Sequence, residues 1–413
     1  MLGTIASNVW GKIGTSRPTI PSVLFTPANH EPLTGDPWDE ARARAAIEAI
    51  VEGTEAARGE DGFWPEHPDD HEQDASLRTG VYMGAAGLLW GLHRFGRDHA
   101  AAADRLHASY LREPDWPGVV PGYWAGEAGI LLVAQQLAPT AERAELLLAA
   151  VDANADNESR ELMWGSPGTM LVARSMLEST GERRWADAWL RSAELLWSRW
   201  LPLDGHGCRL WTQQLYGHEE QCIGPGHGFA GNVLALSLDG GLLGSERRAE
   251  LERRAVETTT ALAVRDGGLA NWPAATDEPI VHRSGIRVQW CHGAPGMVAS
   301  LAHIAAGDAA FSELLAAGGE LTWQAGPLAK GAGLCHGTAG NGCAFLALFE
   351  RLGDERWLER ARRFAMHAIS QVEASRERHG FGRHSLWTGD MGVALYLQQC
   401  IDGRAGMPSL DPL

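Results

Sequence analysis

No stretch of this 413-residue chain offers the roughly 20 consecutive apolar residues of a membrane-spanning helix. Its longest uncharged segments, 221–238 and 331–349, are broken by Gly, His, Asn and Cys. The first 24 residues lack the basic stretch and uninterrupted apolar run of a secretory signal, so a cytoplasmic protein is expected. Positive charge is scarce: 35 Lys and Arg against 52 Asp and Glu leave a net −17, which speaks against binding nucleic acid or an anionic membrane. The six cysteines, Cys208, Cys222, Cys291, Cys335, Cys343 and Cys400, do not form the dense framework of a small secreted domain and read as free thiols or metal ligands. With 45% hydrophobic and 21% charged residues, the chain is neither disordered nor collagen-like, and it is long enough to bury a large core.

Glycine is what the chain has in excess, 50 residues where average usage would give roughly 29. Fourteen of them form seven Gly-x-x-Gly units: Gly84/Gly87, Gly126/Gly129, Gly165/Gly168, Gly228/Gly231, Gly293/Gly296, Gly337/Gly340 and Gly389/Gly392. Each unit opens an apolar run such as GILLVAQQL or GVALYLQQ, apolar nearly all round and therefore a buried helix. Between the runs lie charged amphipathic segments at 38–58, 97–112, 140–153, 182–200, 245–264, 308–324 and 354–372, which read as outer helices. Neither set can bury a face alone, so the expected fold is all-α, an (α/α)7 toroid of two concentric rings. An open solenoid is the alternative, disfavoured because the inner helices are too apolar to line a wet concave surface. Residues 1–35 are expected as an N-terminal extension and 36–413 as one toroid domain, with loop insertions at 201–225 and 265–290 placed as functional loops on a rigid scaffold.

The repeat starts differ chemically. The fifth reads Trp290-Cys291-His292-Gly293 and the sixth Leu334-Cys335-His336-Gly337. Equivalent positions pointing to one end of a ring would bring Cys291, Cys335 and His336 together despite a separation of 44 residues between the cysteines. Two thiolates and one imidazole suit Zn2+ and leave the fourth tetrahedral position open, the catalytic pattern. His292 is kept as an acid/base or supporting residue, since a fourth protein ligand would close that position and make the site structural. Cys343 reads as core packing, and Cys208 and Cys222, without a tight ligand spacing, as structural thiols. Glycosidases also use α-toroids, but the carboxylates at the repeat starts, Glu127, Glu161 and Asp390, form no evident pair.

WCHGAPG at 290–296, LCHGTAGNG at 334–342 and GHGFAGN at 226–232, in order on a sevenfold helical repeat, resemble the lanthionine synthetase C-like family. GVYMGAAG, ELMWGSPG and NWP are more similar to its eukaryotic-type branch than to the nisin-type cyclases, where a tyrosine commonly stands at the His292 position. The resemblance implies a zinc enzyme that adds a thiol to dehydroalanine or dehydrobutyrine and forms a thioether. It further implies His227 in acid/base work, Arg287 beside the reacting carbonyl, and Glu161 where the cyclases carry an aspartate. The implied partners are a dehydrated peptide or protein and a separate dehydratase or kinase that makes it. The thiol donor would be either a cysteine of the same peptide or glutathione. A non-catalytic zinc-containing scaffold is the competing reading from another class.

Overall fold

The computed structural model describes residues 24–70, 77–276 and 285–410, so most of the proposed N-terminal extension and part of the second insertion lie outside the described residues. Seven short apolar helices alternate with seven longer amphipathic ones. The apolar set is α2 (Ala85–Arg94), α4 (Glu127–Leu137), α6 (Ser166–Thr180), α8 (Phe229–Ser237), α10 (Ala294–Leu301), α12 (Thr338–Leu352) and α14 (Asp390–Asp402). The amphipathic set is α1 (Glu40–Ala56), α3 (Ala103–Arg112), α5 (Ala141–Ala153), α7 (Arg183–Ser198), α9 (Gly244–Ala261), α11 (Ala309–Ala325) and α13 (Glu355–His379). Each apolar helix packs on the next, and α14 packs on α2, so the inner helices close into a ring inside the outer ones. The first outer helix, α1, lies against the last inner one, α14, and this joins the two ends of the chain into one hairpin.

The two sets begin differently, and the sequence shows why. Outer helices α1, α5, α11 and α13 are capped by Asp39, Thr140, Asp308 and Asp354, whose side chains accept from the backbone three or two residues on, the ordinary use of these residue types. Inner helices instead have glycine at the N-cap with no side-chain cap. Their first N–H groups bond carbonyls seven residues upstream, as in Ala85 to Arg78, Glu127 to Val120, Phe229 to Cys222, Thr338 to Gly331 and Asp390 to Arg383. The loop thus curls back over its own helix start and satisfies the orphan donors. This curl is what the second glycine of each pair permits: a Cβ on Gly296 or Gly340 would collide with the carbonyl oxygen of Trp290 or Leu334.

A second backbone ladder runs around the ring. In five of the seven repeats the residue two before the first glycine donates to its counterpart in the next repeat: Tyr82 to Trp124, Trp124 to Met163, Cys291 to Cys335 and Cys335 to Trp387. Trp387 donates in turn to Tyr82, which closes the ring from the seventh repeat to the first. Inside it, Trp124, Trp290 and Trp387 lie buried in mutual contact, with ring centroids 4.3, 4.7 and 5.9 Å apart. They come from repeats two, five and seven, so they fill the ring's interior.

The insertions fold as antiparallel hairpins. Residues 201–225 form β1 (Leu201–Leu203) with β2 (Cys208–Leu210) and β3 (Gln213–Leu215) with β4 (His218–Glu220); β5 (Val264–Asp266) pairs with β6 (Leu269–Asn271). Of the segment before the first helix, Leu24 is buried, and Glu31 meets His367 Nε2 of α13 at 2.7 Å. No described helix is long and apolar enough to cross a membrane.

Candidate metal centre

The site is a consequence of repeat register. Two positions before the first glycine, the seven repeats carry Tyr82, Trp124, Met163, Gly226, Cys291, Cys335 and Trp387; one position before it they carry Met83, Ala125, Trp164, His227, His292, His336 and Thr388. One backbone geometry repeated around a ring therefore presents all these side chains at the N-terminal end of the inner helices. Cys291, Cys335 and His336 converge there, with one donor atom of each within 4.8 Å of the others. Tetrahedral zinc with bonds of 2.0–2.3 Å needs ligand separations of about 3.5–3.8 Å, so small side-chain movements suffice. Both cysteines are buried and His336 is half-buried. The donor set thus fits a borderline-soft divalent ion.

The surroundings support two sulfurs in close quarters. The hydrogen bond between the pair pushes the Cys291 thiol well below its ordinary range, against burial and with help from His292 and His336. The same bond holds the Cys335 thiol up, so without a cation the pair accommodates a single negative charge. Gln289 Nε2 donates to Cys291 Sγ at 3.0 Å, and a metal would release the second proton. Burial first, then the neighbouring sulfurs, keep the Tyr82 phenol protonated far above its usual range; Tyr82 stacks at 6.1 and 6.2 Å on Trp124 and Trp387.

His227 occupies the equivalent place in repeat four. Its Nδ1 lies 3.0 Å from Glu161 Oε2, and its ring stands 6.1 Å from that of His292. Burial opposes a charge on His227, but the hydrogen bond and charge of Glu161, with Cys291 and Glu220, prevail and raise its pKa. Glu161 is fully buried and also accepts the backbone N–H groups of Met163 at 2.9 Å and Trp164 at 2.6 Å. By binding the Met163 N–H it takes a donor that faces the next repeat. Arg160, just before it, is held at a φ of 42°, a costly conformation for a side-chain-bearing residue. Asn232 Nδ2 fixes its carbonyl at 2.9 Å.

Arg287 stands on the loop that leads to Cys291. Its guanidinium is exposed and makes no hydrogen bond or ion pair with a described residue, while its carbonyl accepts from Asn271 Nδ2 at 3.2 Å. Asn271 has no sequence signal beyond the NWP motif, yet its Oδ1 caps α10 by accepting from Ala294 N, 2.7 Å away. It replaces the usual backbone curl at the one inner helix whose capping glycine, Gly293, has a positive φ, 111°. Tyr82 stands at the cysteine register position of repeat one and Gln289 two residues before Cys291; register is the signal that finds them. Cys343 is buried in α12, and Cys208 and Cys222 are buried near β2 and β4.

Comparison with known proteins agrees with this geometry. The lanthionine synthetase C-like protein model matches residues 71–410. The chain is 32% identical over 191 residues to the zebrafish (Danio rerio) protein named glutathione S-transferase LANCL1, covering 46% of this chain and 42% of that one. It is 42% identical over 83 residues to LanC-like protein GCL1 of Arabidopsis thaliana, 19% of each chain. The matched segments thus span less than half the length of these curated relatives. Among solved structures, nisin cyclase superposes with a TM-score of 0.59 at 14% identity, covering 87% of this chain and 94% of that one, which shows a shared fold. With seven in-register repeats and a family match over most of its length, the chain belongs to the lanthionine synthetase C-like family.

Proposed function

We propose that this protein adds a thiol across the double bond of a dehydroalanine or dehydrobutyrine residue in a peptide, forming a thioether. The observation that carries the reading is the meeting of Cys291, Cys335 and His336 on the same end of the ring as the His227–Glu161 pair. Cys291, Cys335 and His336 would hold a zinc ion, which would supply Lewis acidity favouring the thiolate of an incoming thiol at neutral pH. The ring of His292, the residue next to Cys291, stands 6.1 Å from that of His227, and the set of three close donors is Cys291, Cys335 and His336, which favours a fourth position for substrate over a closed structural site.

The chain's own residues account for the proton steps. As the sulfur–carbon bond forms at the β-carbon, the π pair moves toward the carbonyl, and the α-carbon then needs a proton. Glu161, pinned by two backbone N–H groups, holds His227 Nδ1 and leaves Nε2 for substrate. A raised His227 pKa favours the protonated form, suited to delivering that proton and to stabilising developing negative charge. The thiol's own proton restores the balance, so the reaction is a net addition without oxidant or reductant. The exposed Arg287 remains available to a substrate carbonyl.

The zebrafish relative's name favours glutathione as a second thiol donor, giving intermolecular conjugation; a cysteine in the same peptide gives cyclisation. A dehydratase or kinase acting beforehand must supply the unsaturated residue. Purified protein, zinc and a dehydroalanine peptide carrying one cysteine, with and without glutathione, distinguish these readings by mass spectrometry. Loss of free thiol at constant mass is cyclisation, and gain of one glutathione is conjugation. Neither product with zinc bound would leave the scaffold reading standing.

A further inference from the structure

The hairpin β3–β4 presents one residue that the fold does not need. Leu215 pairs with His218, so the connecting loop is Tyr216-Gly217, and both residues have positive φ, 53° and 82°. That is the turn in which Asn-Gly or Asp-Gly is strongly preferred, because the first central residue must adopt the left-handed conformation. A tyrosine there is strained. It is also 70% exposed, the most exposed large apolar side chain among the described residues, so core packing does not explain it.

Its position does. The Tyr216 ring lies 6.3 Å from the His227 ring, edge to face at 76°, and His227 continues the row toward His292. The hairpin is fastened to the loop that carries Glu161: Gln214 N donates to Glu158 O at 2.9 Å, and Arg160 Nη1 donates to Thr212 O at 2.9 Å. Fully buried Gln213 accepts from Cys222 N at 2.9 Å. The strained turn is therefore held in a fixed relation to the His227–Glu161 pair. Strain kept at such a place, by a residue contributing nothing to the core, marks a functional position.

Building on the thioether-forming reading, we propose that Tyr216 is a substrate-positioning residue whose ring packs over the flat, conjugated double bond and amide of the dehydro residue and sets its α-carbon against His227. A planar unsaturated amide offers an apolar π-face that a saturated residue lacks, so the contact selects for the unsaturated substrate. Tyr216 takes no part in proton transfer.

Three proteins test this: wild type, Tyr216→Phe and Tyr216→Asn. Tyr216→Asn suits the turn, so its thermal midpoint should equal or exceed that of wild type, while its KM for a dehydroalanine peptide rises about tenfold with kcat within about threefold. Tyr216→Phe keeps the ring and should match wild type. Calorimetric titration with the dehydroalanine peptide and with its alanine counterpart reads the same contact without turnover. Wild type and Tyr216→Phe should prefer the unsaturated peptide; Tyr216→Asn should not. An unchanged KM and preference in Tyr216→Asn would overturn the assignment, as would a lowered midpoint with unchanged KM. Absence of thioether product from wild type would instead remove the reaction, leaving the calorimetric preference to decide Tyr216 by itself.

Discussion

Repeats five and six and repeats seven and one share a backbone and differ in what they display on it. At the same two register positions the first pair carries Cys291-His292 and Cys335-His336, and the second carries Trp387-Thr388 and Tyr82-Met83. The ladder that joins Cys291 to Cys335 continues through Trp387 to Tyr82 without interruption. Scaffold and chemistry are thus separable: the glycines and backbone bonds make the ring, and two adjacent repeats place sulfur where repeats one, two and seven place the aromatic rings of Tyr82, Trp124 and Trp387. The His227 side differs again, because there a buried carboxylate, Glu161, takes the Met163 N–H and ties the ring to a histidine.

The sharpest break between the two regions comes from Cys335→Ala. We expect thioether formation to fall at least about a thousandfold, with the helical circular-dichroism signal retained, measured by mass-spectrometric kinetics. Gly392→Ala in repeat seven should do the reverse. Its Cβ would collide with the Leu386 carbonyl, as one on Gly340 would with that of Leu334, and urea unfolding should show a loss on the order of 3 kcal/mol for either variant. A repeat without chemistry is as intolerant as one with it if the glycines serve only the curl. Much smaller losses at Gly392 than at Gly340 would tie the glycine to the metal centre instead.

The far end of the ring gives a third contrast. His303, just past α10, meets Ser237 Oγ at the end of α8 at 2.6 Å. Burial, then Arg248 and Arg351, push its pKa to about 4. The folded form therefore binds fewer protons than the unfolded chain between about pH 4 and 6.5. Stability from this group is complete above the ordinary histidine pKa and is lost as pH falls through that window, by an amount that the ring's exposure to solvent reduces. His303→Gln should flatten the acid side of the stability profile relative to wild type. The difference between the two proteins is the quantity to measure, because Asp390, raised to about 6 mainly by burial, acts with the opposite sign.

The smallest expected effect is Glu161→Gln. Loss of the carboxylate should lower kcat about 10- to 100-fold while metal content is unchanged, separating the proposed acid/base role of the His227–Glu161 pair from the proposed metal-holding role of repeats five and six.

Much of this was legible in the sequence because glycine spacing reports a backbone requirement directly. The seven Gly-x-x-Gly units placed all seven inner helices, and most outer segments agree with the helices to within a turn. The amphipathic segment at 354–372 falls short of α13, which continues to His379, since its charged last two turns carry little apolar signal. The Cys-His pairs revealed the cluster for the same reason: identical offsets from a glycine mean identical places on a ring. What stayed hidden was whatever depends on chain returning from elsewhere. Asn271 reaches α10 from an insertion, and Tyr216 reaches His227 through a hairpin register. The NWP motif marks Asn271 without showing what it caps, and the strain at Tyr216 exists only in the folded turn. The exposure of Arg287 likewise reflects a loop path that spacing from Cys291 does not specify.

Elemental analysis of purified wild type and Cys335→Ala is the most direct test of the central claim that repeats five and six build a metal centre on a shared scaffold. The account predicts one zinc per chain in wild type and almost none in a variant that remains folded. A wild type without metal, or a variant that keeps its zinc, would contradict it.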